Sequence, residues 1–497
     1  MGNWAEAFEF CNMKKVLVAG FLVMLAFLLI MRSPLNCINS GISGTDSSVF
    51  RYVAFVMSKG GMPYKDAFDH KGPLLYLINY LGLMVSYNHG VWCMEFVFMA
   101  VFLVCAYKIA RLFCGRGVSC FLTAVAVAPL EYYYEGGNLT EEYAMPFLAI
   151  ALYLFIDYFL NEKINSFRLI LCGGCFSAVL MLRANMISVW MVFCIAVLVW
   201  NIKQKRAIPW NFLLWFLVGC MIVMLPIVIW LLYGKAFSYF VNDYLLFNLR
   251  YISYEERSNL YNKYNSTMNF LNCNLLLVSI VALLYLIREK NKCFFDSAYL
   301  IYVVVTLLSV SMSGMSYGHY GMILIPLFLY PLSRAYVVMV SEERGHYAAM
   351  SYTILLLFMA FTSWKSNLDT LANGLHIRYT QQESTPLSEE EKVLMWVVTE
   401  NTSEAEPILV IGNKNSYYLE SRRLAASRFS YQLPIAKIAN DIREEFVAEL
   451  VREKPKIIIV QNCTSEEYMN LFVTIDEYEL LYVADERVGI YRIKGIS

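Results

Sequence analysis

Apolar residues along this chain fall in long blocks rather than at every second or every third position, with the charges collected between the blocks. Eleven blocks, near 15–33, 90–110, 117–134, 143–160, 168–183, 186–201, 210–233, 269–287, 295–312, 319–340 and 347–364, are read as helices crossing a bilayer. A hydrocarbon core takes roughly 20 apolar residues of helix to cross, with a range of about 17–25. The block at 168–183 is short. Leu74 to Tyr87 is too brief to cross and is placed at the interface.

Composition turns that pattern into an exclusion. Of the 497 residues, 59% are hydrophobic and 16% charged, with a mean hydropathy of +0.50. Soluble domains hold roughly 45–50% apolar and about 25% charged residues, so a water-soluble core has no use for this surplus. Forty basic residues balance forty acidic ones, and zero net charge points to no nucleic acid or other polyanionic partner. Most of the thirteen cysteines lie inside apolar blocks. Cys172 and Cys175 are spaced as Cys-Gly-Gly-Cys, but mid-span and without a second pair they read as packing residues, not a zinc site. The first block lacks a small-x-small cleavage site behind it and reads as a retained anchor.

Lys and Arg collect in short cytoplasmic connections. With a cytoplasmic N-terminus, alternate connections carry Lys108, Arg111 and Arg116, then Lys163 and Arg168, then Lys203, Lys205 and Arg206. Arg288, Lys290 and Lys292 follow, and finally Arg344, whereas 131–143 and 313–318 hold no Lys or Arg. An odd number of spans then puts loops 34–89 and 234–268, and everything from about 365 onward, on the outer face. The expected organisation is a polytopic α-helical transmembrane domain over 1–364 and a small extracytoplasmic α/β domain over 365–497. In the tail, Pro407 to Ile411 and Lys456 to Val460 read as short buried strands. Ile435 to Glu453 has helical spacing, and Glu479 to Val483 with Val488 to Arg492 reads as a hairpin. Gly412 follows a strand, but without a glycine-rich phosphate loop no nucleotide site is expected.

Polar chemistry concentrates in the first outer loop. Val49, Tyr52, Val53, Val56 and Met57 recur at helical spacing and predict an amphipathic helix along the membrane surface. Thr45, Asp46 or Ser47 can cap that helix, which is one account of Asp46. The other is chemical. A hydroxyl attacking a sugar anomeric carbon needs a carboxylate to take its proton, and Asp46 stands where a lipid-borne substrate arrives. Further on, Asp66, Asp69, His70 and Lys71 precede an apolar helix. Lys and His bind phosphate, and Asp with His binds a divalent metal. Asp69-His70-Lys71-Gly72-Pro73 equally has the chemistry of a turn.

Three more groups belong to outer connections. Thr140-Glu141-Glu142 either starts a helix with acids in its first turn or contacts acceptor, sugar or metal. Arg183 lies between two short spans, where a charge is costly unless it is paired or faces a polar cavity. It either binds a donor phosphate or reaches the headgroups. His319, within Ser316-Tyr317-Gly318-His319-Tyr320, either assists phosphate departure or hydrogen-bonds at the interface. The aromatic loop 234–268 is assigned no catalytic part.

Asp46 after the first span, Arg51-Tyr52 on a surface helix, Met62-Pro63, and Lys71-Gly72-Pro73-Leu74 entering an apolar helix resemble the C-class membrane glycosyltransferases. Within that class the resemblance is to bacterial relatives of the protein O-mannosyltransferases and lipid A aminoarabinose transferases. Asn138-Leu139-Thr140-Glu141, and His319-Tyr320 before a Pro-containing span, are similar to the same pattern. Family members often carry an acidic residue after the catalytic Asp and Pro-Pro after the Lys, where this chain has Ser47 and Gly72-Pro73. The resemblance implies the fold of that class and a polyprenyl-phosphate-linked sugar donor at the outer face of the plasma membrane. It implies Asp46 as catalytic base, with Arg51, Asp69, His70, Lys71, Glu141, Glu142, Arg183 and His319 as substrate-binding residues. The acceptor stays open among an extracytoplasmic glycan, lipid or protein, and so does a divalent metal. A transporter or flippase of lipid-linked glycans and an envelope scaffold are the alternative readings. Neither accounts for a carboxylate-rich outer loop as directly.

Overall fold

A computed structural model describes residues 2–38, 44–206, 210–253, 259–288, 294–341, 345–379, 389–433, 435, 438–484 and 487–495. Lys290, Lys292 and Arg344, three of the charges that orient the chain, lie outside the described residues. The chain divides into two compact units. Unit one comprises Met1–Arg32, Cys93–Pro226 and Glu255–His376, and unit two Ser33–Trp92, Ile227–Tyr254 and Ile377–Ser497.

Unit one is helical. Among the described residues of the chain, seven helices are long and apolar enough to cross a bilayer: Met13–Ile30, Gly90–Arg111, Thr140–Asn161, Trp210–Tyr233, Phe294–Ser311, Gly318–Val340 and His346–His376. Leu260–Leu271 and Asn274–Arg288, bent by 83° at their break, make an eighth if they form one span. The protein is therefore a multi-pass membrane protein. Three other expected spans fall on shorter helices, Arg116–Val127, Ser166–Leu180 and Ser188–Lys203, of 12, 15 and 16 residues. Those lengths are below the range of about 17–25 residues that crosses unaided.

Burial separates inner helices from outer ones. Thr140–Asn161 is 72% buried and Trp210–Tyr233 only 17%, so the first is packed in protein and the second presents its Leu, Ile and Met side chains outward. Small residues let helices approach closely in a membrane, where no hydrophobic effect drives them together. Ser166–Leu180 and Trp210–Tyr233 cross in this way. A Cβ on Gly173 would overlap the Phe216 carbonyl oxygen, and one on Gly219 would overlap that of Ile170. Cys172 and Cys175 are buried free thiols in the first of these helices.

Unit two is mixed α/β. Its sheet has the order β1-β2-β4-β3, with β1 at Leu409–Ile411, β2 at Ile457–Val460, β3 at Tyr478–Ala484 and β4 at Val488–Ile493. β1 and β2 are parallel, and β4 pairs antiparallel with both β2 and β3. A parallel pair needs a crossover, and Asn440–Glu453 lies in the connection. Every residue of β1 and β2 is buried, as their unbroken Ile, Leu and Val content requires.

The helix expected along the membrane surface is Thr45–Ser58, but Ser47 to Val56 are all buried. The tail packs on the apolar face that was expected to lie on the membrane. Tyr52 lies 4.8 Å from the ring of Tyr418, and its hydroxyl accepts from the Ala425 amide at 2.7 Å. The short apolar helix after the loop is Pro73–Val85, with proline at its first turn, where a missing N–H costs nothing.

Candidate functional site

The turn before Pro73 is organised around Asp69. Its side chain is buried, and it accepts from Tyr76 Oη at 2.8 Å, Tyr431 Oη at 2.9 Å and the His70 amide at 2.7 Å. Burial pushes this carboxyl up, against the pull of Lys71 and those hydrogen bonds. His70 is held on every side. Its carbonyl accepts from Asn248 Nδ2 at 2.7 Å, and its ring packs 5.5 Å from Phe247 and 5.3 Å from Tyr251.

The two ring nitrogens of His70 have different partners: Nε2 lies 3.0 Å from Lys71 Nζ, and Nδ1 lies 3.3 Å from Tyr431 Oη. An ammonium only donates, so beside charged Lys71 the acceptor is Nε2 and the proton sits on Nδ1. Tyr431 then receives from His70 and donates to Asp69. Lys71, His70, Tyr431 and Asp69 thus form one hydrogen-bonded series with a single direction.

Asp46 stands exposed in the first turn of Thr45–Ser58. The capping account of this residue is corrected here. The N-cap position is Gly44, which has no side chain to cap with, and Asp46 lies two residues further on. The Asp46 charge is one of those raising the Tyr431 phenol, after burial and Asp69. Arg51 is not part of this cluster. It is buried, donates to the Tyr87 carbonyl at 2.9 Å and lies 6.0 Å over the Tyr87 ring. Asp66 serves the turn, accepting from the Met62 amide at 2.7 Å.

Arg428 clamps the same turn. Its guanidinium donates to Asp243 at 2.8 Å, Glu445 at 2.9 Å and the Tyr64 carbonyl at 3.0 Å, while its own carbonyl accepts from the Phe68 amide at 2.7 Å. Burial pushes the Asp243 carboxyl up to about 6, although Arg428 opposes the shift.

Unit one holds the other expected residues. Glu141 is buried, accepts from Thr140 Oγ1 at 2.6 Å and pairs with Arg183, which lies 4.2 Å over the ring of Tyr320. Arg183 is therefore neutralised where it sits. Glu142, also buried, accepts from the Asn138 amide at 2.9 Å and Tyr134 Oη at 3.2 Å. Glu95 shares both donors, at 2.7 and 3.0 Å. These bonds hold a turn in which Glu135, Gly136, Gly137 and Asn138 all have positive φ, at 35°, 90°, 73° and 56°. His319 is buried and pairs with Glu135, which also accepts from the Gly318 amide at 2.6 Å. The His319 hydrogen bond holds the Glu135 carboxyl below its ordinary range.

Tyr431, Tyr76, Asn248, Arg428 and Glu95 were not among the residues expected from the sequence. Among the described residues no three His, Cys, Asp or Glu side chains stand together as a metal site. The Asp69–His70 pair does not fit one either. Tyrosine hydroxyls occupy both Asp69 oxygens, and the Lys71 ammonium faces His70, so no step is derived through a metal.

Residues 5–360 match the family described as "Putative competence-induced protein Ccs4 N-terminal domain". The chain belongs to this family. No curated protein matches it. Among solved structures it is similar to apo ArnT from Cupriavidus metallidurans, with a TM-score of 0.60, 12% identity, and coverage of 97% of this chain and 98% of that one. ArnT bound to undecaprenyl phosphate gives 0.60 at 11% identity, covering 96% and 97%. The oligosaccharyltransferase AglB from Archaeoglobus fulgidus, in complex with an inhibitory peptide and a dolichol-phosphate, gives 0.50 at 12% identity, covering 97% and 75%. The fold is that of the C-class membrane glycosyltransferases.

Proposed function

We propose that this member of the Ccs4 N-terminal family is a membrane glycosyltransferase that moves a sugar from a polyprenyl-phosphate donor to an extracytoplasmic acceptor. The donor, the acceptor and the tail belong to the outer face of the plasma membrane, and the N-terminus to the cytoplasm. One observation carries the reading: an exposed carboxylate that caps nothing, Asp46, whose charge acts on the phenol of the Lys71–His70–Tyr431–Asp69 series. The undecaprenyl phosphate bound to ArnT and the dolichol-phosphate bound to AglB are lipid phosphates of the proposed donor class.

Asp46 takes the proton of an acceptor hydroxyl while that oxygen bonds to the anomeric carbon. On the opposite face the bond from carbon to phosphate oxygen breaks. Polyprenyl phosphate leaves with the bonding electrons, and the configuration inverts. Lys71 is the cation that faces the phosphate, because fixed positive charge stabilises a leaving phosphate better than protonating it does. His70 holds the ammonium through Nε2. Asp69, whose oxygens are occupied, positions His70 and Tyr431, and Arg51 holds Tyr87. In unit one, Arg183, held by Glu141 and Tyr320, is proposed as a substrate-binding group, with Glu142 and His319 as supports of the 131–143 turn.

The test compares lipid-linked sugars by mass spectrometry in membranes carrying wild type or Asp46→Asn at equal folded abundance. The variant should accumulate one polyprenyl-phosphate sugar. Matching profiles alongside a persisting cellular function would move the chain to transport or scaffolding.

A further inference from the structure

The glycine crossing of Ser166–Leu180 and Trp210–Tyr233 has a second effect. Helices pinned together at Gly173 and Gly219 leave room between them toward the connections at 162–165 and 203–206. A cavity of about 500 Å³ occupies that room, lined by Phe155, Leu169, Cys172, Cys194, Leu198 and Phe216 among other apolar side chains. Its walls come from four helices of unit one. A pocket this size and this apolar is built for a ligand without polar groups along its length.

The mouth is basic. Ile164 and Trp210 line the cavity, and the chain next to them carries Lys163, Arg168, Lys203, Lys205 and Arg206 against Asp157 and Glu162. The Arg206–Glu162 pair at 2.6 Å ties the two connections together, and Arg168 pairs with Asp157. Lys203 lies 4.9 Å over the ring of Phe294. Lys163 and Lys205 are exposed, and among the described residues no carboxylate pairs with either. An apolar slot with surplus positive charge at its mouth matches a molecule with a hydrocarbon chain at one end and an anion at the other. Basic pockets between membrane helices hold anionic headgroups in this way.

We propose that this cavity binds one anionic glycerophospholipid, an acyl chain between the helices and the headgroup phosphate at Lys163 and Lys205. The volume suits a single acyl chain and not a polyprenyl tail several times longer, which separates this site from that of the proposed donor. The proposal stands whatever the chain catalyses.

The experiment uses full-length protein in nanodiscs of equal phosphatidylglycerol and phosphatidylcholine, with retained lipid read by native mass spectrometry. Wild type should keep one phosphatidylglycerol. Cys194→Trp, which fills the slot from a position exposed at its edge, should lose it. Lys163→Glu with Lys205→Glu, both exposed and so tolerated by folding, should lower the preference for phosphatidylglycerol about tenfold or more. Equal retention of the two lipids by wild type overturns the proposal. So does retention unchanged in folded Cys194→Trp, or displacement of the lipid by added undecaprenyl phosphate.

Discussion

The hydroxyl of Tyr431 donates a hydrogen bond of 2.9 Å to Oδ1 of Asp69, a residue 362 positions earlier in the chain. The same phenol faces His70 Nδ1 at 3.3 Å. Removing that oxygen leaves a buried carboxylate short of a donor, at a cost of about 1–3 kcal/mol. Tyr431→Phe should lower thermal stability by that amount and, under the proposed function, change the pH profile of sugar transfer, since the Nδ1–H of His70 loses its acceptor. A lowered melting temperature with an unchanged pH profile would reduce Tyr431 to packing.

Asp243 gives a pH dependence whose sign follows from its raised pKa. Folding raises the carboxyl from its ordinary range near 4 to about 6. Its contribution to stability is therefore fully present below about pH 4 and is lost as pH rises through 6. Asp243→Asn should flatten the loss of stability between pH 4 and 7, by at most about 3 kcal/mol. Unfolding curves of wild type and variant across that window decide it. Parallel curves would show that Asp243 does not titrate there.

The Arg183–Glu141 pair lies in a buried part of unit one. Removing one partner leaves the other charge without its counter-ion, which costs about 3–5 kcal/mol. Arg183→Met and Glu141→Gln should each destabilise strongly, and the double variant by clearly less than their sum. Additive losses in a thermal-unfolding cycle would mean that the two side chains act independently.

Gly137 and Gly60 separate strain from overlap. Both have positive φ, at 73° and 91°, but a Cβ on Gly137 would run into Glu95 and Tyr134, while nothing lies within 4 Å of one on Gly60. Gly60→Ala should cost about 1 kcal/mol and Gly137→Ala about 2 kcal/mol or more, read as melting temperature. Equal losses would place the whole effect in the backbone.

The membrane character was legible because it is written in blocks of composition, and the strands of the tail because Ile457 to Val460 is unbroken Ile and Val. The Asp69-His70-Lys71 turn was legible too, as adjacent residues are bound to be near one another. Tyr431 was not, because nothing local marks one tyrosine among 36 as the partner of a distant aspartate. Asp46 was found as a residue but not in its setting. Thr45, Asp46 and Ser47 are all common capping residues, and only the backbone shows that the N-cap position is Gly44. The helix Thr45–Ser58 was expected along the membrane surface because its spacing records an apolar side and not its partner, and the tail residues that pack on Tyr52 follow hundreds of residues later. Glu95 was lost inside an apolar block, where one acid among many hydrophobes changes the average little.

Unit two is assembled from three separated stretches of sequence, the last beginning at Ile377. During synthesis the Asp69–His70 turn emerges early, but its phenol comes from the final stretch. A ribosome that has made every membrane helix has still not supplied Tyr431, Arg428 or the strands behind them. The polar series is thus completed last, and a chain that stops early carries Asp46 without the array beside it. Termination before residue 431 yields an inserted membrane protein in which Asp69 and His70 never meet their phenol.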